Sequence, residues 1–261
     1  MKKQFCFTVD DNIRVLRELT EGDFVSLFDH PYLAMYRRLC EKYALRVQLN
    51  LFYEDKDTGF CLADVTDRYR DEWEKNADWL RLSFHSRIEN VKPYELSDYA
   101  EVYEDCAATH REILRFAGKK SLAASTTIHY CRTTADGVRA LFDNGVRGLL
   151  GLYGTEDAPR LSYQSTEDEG RAIRQGDVVL SGGMAYGAID VILNERTMEE
   201  ILPSLQPLCK RDTIKVMIHE QYFYPARSWR YQPDFEEKLD LAFSYLCENG
   251  YVSAFFEDWF S

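Results

Sequence analysis

Short apolar runs that read as strands alternate along this chain with longer runs that read as amphipathic helices. The connections between them are too long for hairpins, except around the Gly182-Gly183 turn. Parallel neighbours need such crossovers, so the order demands a mostly parallel sheet with helices outside it. Both a closed barrel and an open doubly wound sheet satisfy that demand. Strand-like runs lie at Gln4–Val9, Leu45–Phe52, Leu80–Phe84, Ser121–Ile128, Val146–Leu152, Ile214–Ile218 and Tyr251–Phe255. Helical spacing appears at Pro31–Tyr43, after Thr66 through Tyr69, Trp73 and Ala77, at Glu95–Ala117, Thr134–Asn144, Met198–Cys209 and Pro233–Glu248. Gly118 and Gly145 stand where left-handed helix stops belong. Residues 155–176 are polar and acidic and read as a loop. Residues 178–193 read as a small β excursion of two short strands.

At 261 residues the chain has room for one domain or two, and alternating strand–helix barrels reach this size as one unit. There is no repeat, low-complexity tract or Ser/Pro-rich linker, so residues 1–261 are expected to form a single domain. The 44 acidic residues outnumber the 32 Lys and Arg, a net charge of −12 that argues against a nucleic-acid partner. The longest stretch without a charge, Val178–Ile189, is far shorter than the roughly 20 apolar residues of a membrane span. Asp10 and Asp11 arrive too early for the apolar core of a secretory signal. Seven widely spaced cysteines without a C-x-x-C suggest neither a disulfide framework nor a zinc ribbon. A cytoplasmic chain is the expectation, with homo-oligomerisation left open.

The position of the chemistry-bearing residues is more informative than their number. His85, His129 and His219 each follow an apolar strand-like run, and Asp10-Asp11 follow the first. Strand C-termini of parallel α/β folds converge on one face, so residues this remote in sequence can meet in one cleft. Imidazole and carboxylate groups together make either a metal site or an acid–base pair. If the chain turns helically after the third strand, His85 and Glu89 at i and i+4 share a face. Asp11, His85 and Glu89 then hold a divalent metal, zinc first among the candidates. Asp10 is placed to take a proton from water, and His219 to protonate a leaving group. His129 either lines the pocket or joins the metal site, Tyr130 helps to hold the substrate, and Tyr222 begins an aromatic cluster, Tyr222–Pro225, suited to stacking on sugar rings. His30 and His110 read as a helix-start residue and a packing residue.

Phe7-Thr8-Val9-Asp10-Asp11 resembles the T-F-D-D motif of the polysaccharide deacetylase (NodB-like) family. His85-Ser86-Arg87-Ile88-Glu89 resembles its H-[S/T]-x-x-H motif, and Val216-Met217-Ile218-His219 its late apolar-His motif. The resemblance spans residue 7 to about 220 and implies a distorted (β/α)7 barrel that removes acetyl groups from N-acetylated or O-acetylated carbohydrate. It also implies a base at Asp10, metal ligation by Asp11 and His85, and an acid at His219. The sequence departs from the pattern at Glu89, where a second His is usual. It departs again at Thr127–Arg132, where the family has Arg-x-x-Pro-Tyr. Two other readings stand beside this one: a metal-free glycoside hydrolase using Asp10, Glu89 and Glu220, and a non-catalytic saccharide-binding relative.

Overall fold

The computed structural model describes residues 3–90, 94–163, 165–225 and 230–260. β1 (Gln4–Asn12) is buried on both faces, as a strand flanked by parallel neighbours must be, and α1 (Arg14–Glu21) follows at once. Next come α2 (Pro31–Tyr43), β2 (Val47–Glu54), α3 (Arg70–Lys75), β3 (Leu80–Ile88), α4 (Tyr99–Phe116), β4 (Ser125–Thr126), α5 (Ala135–Asp143) and β5 (Gly148–Gly151). The second half holds α6 (Glu167–Arg174), β6 (Val179–Ser181), β7 (Met184–Ala188), β8 (Val191–Ile192), α7 (Met198–Leu205), β9 (Thr213–His219), α8 (Phe235–Glu248) and β10 (Val252–Ser253). No helix among the described residues is long and apolar enough to cross a membrane.

One sheet runs β3-β2-β1-β9-β8 and a second β4-β5-β7-β6; among the named strands of the described residues, β6–β7 is the one antiparallel pair. Backbone contacts join the two sheets at both edges. Leu82 bridges Leu122 in parallel, and the Ala123 N–H donates to the Leu82 carbonyl. On the other side β7 pairs with β5 and β8 with β9, while between them Ile189 donates to Gly151 and Asp190 to Lys215. β7 and β8 are thus one line that changes partner midway. Taken with β1, β2, β3, β4, β5 and β9, it gives the seven staves of a distorted (β/α)7 barrel. β6 is the hairpin excursion around Gly182-Gly183. β10 lies beside the start of β1.

Local chemistry explains most helix boundaries. Pro31 opens α2 with the His30 ring accepting from the Tyr32 N–H, Asp98 caps α4, and Thr134 caps α5. Four expectations need correction. α1 follows the Asp10-Asp11 pair directly, whereas the periodicity pointed to Pro31 as the first helix start. α6 lies inside the acidic stretch expected to be loop; a Thr166/Glu169 capping box starts it, although only Gly170 and Ile173 are buried. β4 is two residues long, with a 3-10 turn over Lys119–Ser121 in place of its expected start. β3 does not end at His85 but stays extended to Ile88.

Candidate metal centre

Two backbone irregularities aim the first residues into the cleft. Along a regular strand, Asp10 and Asp11 would point to opposite faces. The β1–β2 register slips between Val9 and Asn12, and Asp11 adopts φ 64°, a left-handed conformation that Asp tolerates better than most residues. Both carboxylates therefore line the same cleft. On β3 the register with β2 steps from Leu51–Phe84 to Phe52–Ser86, which leaves His85 as the extra residue of a bulge. His129 sits just past β4, in a turn where Tyr130 and Cys131 have φ of 63° and 57°.

Asp11, His85 and His129 come together at this point. Their ligand atoms lie 3.0 Å (Asp11 Oδ1 to His85 Nε2), 3.1 Å (His85 Nε2 to His129 Nδ1) and 3.3 Å (His129 Nδ1 to Asp11 Oδ1) apart. The His85 Nδ1–H donates to the Thr127 carbonyl at 2.5 Å, so its lone pair is on Nε2 and faces the other two atoms. His129 Nε2 is buried with no hydrogen-bond partner among the described residues. Three electron-rich atoms crowded at this spacing call for a shared cation or proton. Ligands about 2.0–2.1 Å from one ion are separated from each other by about 2.9 Å in octahedral and 3.4 Å in tetrahedral arrangement. The observed edges fall between those limits, and two imidazoles with one carboxylate are a donor set suited to zinc or iron. The residues therefore fit a divalent metal.

Electrostatics sharpen the picture. Burial tends to raise Asp11, but where a proton rather than an ion is shared at this point, donation from His129 and His85 outweighs it and holds the carboxyl well below the usual range. For Asp10 burial wins, and its carboxyl is raised despite His85, His219 and a 2.7 Å hydrogen bond donated by Asn50 Nδ2. Burial works against charge on His85, yet Asp10 and Asp11 raise it overall.

Glu89 is not part of the cluster. Because β3 stays extended, four residues span about 13 Å instead of one helical turn, so the i, i+4 geometry does not arise. Glu89 instead pairs with Lys56 at 2.8 Å and Arg230 at 3.5 Å at the cleft edge. His129, which the sequence left between lining the pocket and joining the metal site, stands beside Asp11 and His85. His219 lies opposite Asp10 in the β1–β9 register. Asn194 Oδ1 accepts from both the His219 backbone N–H at 3.1 Å and Nδ1 at 2.8 Å. The backbone contact fixes that amide's orientation, so Nδ1 carries a proton, and Nε2 makes no hydrogen bond among the described residues. Tyr130, half exposed, lies with its ring 4.1 Å from that of His129, and Tyr222 lies 6.2 Å from His219.

Several supporting residues escaped the sequence reading. Asn50 orients Asp10, Asn194 orients His219, and Gln221 Nε2 donates to Asp11 Oδ2 at 2.5 Å. Gln48 and Asn50 carried one signal, as amides within an otherwise apolar run; Asn194 and Gln221 carried none. Glu220, offered as a glycosidase carboxylate, accepts the backbone N–H groups of Ile13, Arg14 and Val15 at 2.8–3.0 Å. It is the distant cap of α1.

No protein-family model matches the chain, and no curated protein matches it. Solved structures do match. A family 4 acetyl xylan esterase from Clostridium thermocellum, in complex with a cobalt ion, is 16% identical over 99% of this chain and 90% of its own, with a TM-score of 0.50. The carbohydrate deacetylase Agd3 is 10% identical over 97% of this chain and 52% of its own, at 0.55. A 4-alpha-glucanotransferase from Thermococcus litoralis is 13% identical over 99% of this chain and 40% of its own, at 0.56. At such identities the likeness is one of architecture, and this chain has the α/β barrel fold of the carbohydrate deacetylases.

Proposed function

We propose that the protein is a metal-dependent hydrolase that removes acetyl groups from N-acetylated or O-acetylated carbohydrate. The observation that carries this reading is the Asp11–His85–His129 triangle with edges of 3.0–3.3 Å, set in one cleft with Asp10 and His219. The fold alone does not choose this chemistry, since it is also the fold of a glucanotransferase. A glycosidase reading needs two uncommitted carboxylates across the cleft. Glu220 is bound by three backbone donors and Glu89 by two cations, which favours the metal reading.

Asp11, His85 and His129 would hold the metal, a donor set that suits zinc or iron, with zinc the first candidate. Such an ion polarises an acyl carbonyl and makes water easier to deprotonate. The chain supplies the proton transfers. Asp10, with its carboxyl raised by burial and held by Asn50, accepts the proton of the attacking water. His219, carrying a proton on each ring nitrogen when it acts, delivers the Nε2 proton to the departing nitrogen or oxygen as the acyl bond breaks, while its Nδ1–H stays on Asn194 and keeps the ring aimed. Tyr130 and Tyr222 offer rings beside these groups for a sugar face.

The decisive experiment is elemental analysis of the purified protein after exposure to zinc, paired with acetate release from N-acetylglucosamine oligomers and acetylated xylan, with and without chelator. One bound metal per chain and chelator-sensitive release are expected. Metal-free protein under replete conditions would reject the reading. Asp10→Asn should keep the metal and lower kcat by about 100-fold or more; turnover equal to wild type would remove Asp10 from the mechanism.

A further inference from the structure

Resting on the metal reading above, we infer that Gln221 is a positioning residue that restricts Asp11 to ligation through a single oxygen. A carboxylate at a metal can bind through one oxygen or two. Asp11 Oδ1 faces His85 and His129, at 3.0 and 3.3 Å, whereas Oδ2 is occupied by the Gln221 side-chain amide at 2.5 Å. The amide donates here, because an ionised carboxylate can only accept. Reversing it would set two acceptors against each other. Holding this orientation leaves Gln221 Oε1 buried with no hydrogen-bond partner among the described residues, so the bond to Asp11 governs the side chain's placement.

The backbone that carries Gln221 is fixed independently. Its neighbour Glu220 is locked to the backbone N–H groups of Ile13, Arg14 and Val15. Asp11 lies just before those residues, in its left-handed conformation. The ends of β1 and β9 are thus tied twice, once through Glu220 for shape and once through Gln221 for the direction of the carboxylate. With Oδ2 engaged, three protein atoms would hold an ion, and further coordination positions would be left to water and substrate, as a catalytic site requires. Partners of this kind that orient metal ligands typically change affinity by 10–100-fold when removed.

The test uses Gln221→Met, of similar length without a donor, and Gln221→Asn, whose amide is withdrawn by one methylene. Each variant is first shown to be folded by circular dichroism and thermal melting. Wild type and variants are titrated with Co2+ alone while the visible absorption of the bound ion is recorded, since its bands report coordination number and geometry. Both variants should bind Co2+ about 10–100-fold more weakly and show a changed spectrum, as Asp11 becomes free to offer both oxygens. Wild-type affinity and spectrum in both variants would overturn the assignment. Weaker binding with an unchanged spectrum would overturn it as well, since loosened packing alone would produce that. If wild type takes up no Co2+, the metal reading fails and this inference falls with it; Co2+ uptake with unaltered variants rejects the Gln221 role alone.

Discussion

His85 illustrates how a single hydrogen bond assigns a residue its chemistry. The Thr127 carbonyl takes the Nδ1 proton, which leaves Nε2 to face Asp11 and His129. His85→Ala or His129→Ala should therefore abolish stoichiometric metal binding, whereas Glu89→Gln should change affinity by no more than about threefold, because Glu89 is engaged with Lys56 and Arg230. Equilibrium titration with zinc measures both; a Glu89→Gln variant that lost the metal would restore Glu89 as a ligand. His110 has a different task. It is buried on α4 with Nε2 3.6 Å from Cys106 Sγ, and burial pushes its pKa down to about 4. A His with a depressed folded pKa leaves stability unaffected above its unfolded value near 6.5, where neither state is protonated. Stability is lost as pH falls from there toward 4, because only the unfolded chain then binds the extra proton. The depression corresponds to about 3 kcal/mol. His110→Gln should flatten this part of the stability–pH curve measured by urea denaturation; an unchanged slope between pH 4 and 6.5 would contradict the assignment. The site candidates among the histidines were legible because each follows an apolar run. Which of His129 and Glu89 joins the cluster was not, because that depends on β3 staying extended.

At the level of elements, capping decides what a sequence can announce. α2, α4 and α5 carry their own start signals in His30-Pro31, Asp98 and Thr134, and periodicity found all three. α1 has no local side-chain cap; its start is satisfied by Glu220, more than 200 residues away. No window of sequence contains that information. Glu220→Ala would leave the N–H groups of Ile13, Arg14 and Val15 unpaired in a largely buried place, at a cost of about 3 kcal/mol in unfolding free energy. Glu220→Gln, which retains an accepting oxygen, should lose less. Denaturant unfolding of the two variants tests this, and equal stability to wild type would show that the contact is dispensable. The bulges at Asp11 and His85 were illegible for a related reason. Register is a property of two strands together, and nothing in β1 or β3 alone records it.

At the level of the whole molecule, the end of the barrel away from the cleft is filled by the last residues of the chain. A 3-10 turn over Phe256–Trp259 places Phe256 against Gly148 and Gly187, where glycine leaves room for the ring. Glu257 accepts the Ala124 N–H at 2.7 Å and pairs with Arg81. Phe256 is 1% exposed, so Phe256→Ala should cost about 3–5 kcal/mol. Thermal and urea unfolding would measure it; a loss below about 1 kcal/mol would mean that the barrel does not depend on this plug.

The alternation of strands and helices is written in the linear order of residues, and with it a parallel sheet whose C-terminal strand ends gather Asp10, Asp11, His129 and His219 on one face. Periodicity and strand-end position are local properties, so a linear reading can recover them. The folded arrangement adds that β7 and β8 share one line between β5 and β9, that Glu220 starts a helix at the opposite end of the chain, and that His129 stands beside Asp11 and His85 while Glu89 does not. Each of these depends on the spacing of atoms brought together from remote segments. That spacing is set by register, bulges and packing between strands, which exist only once the strands have met.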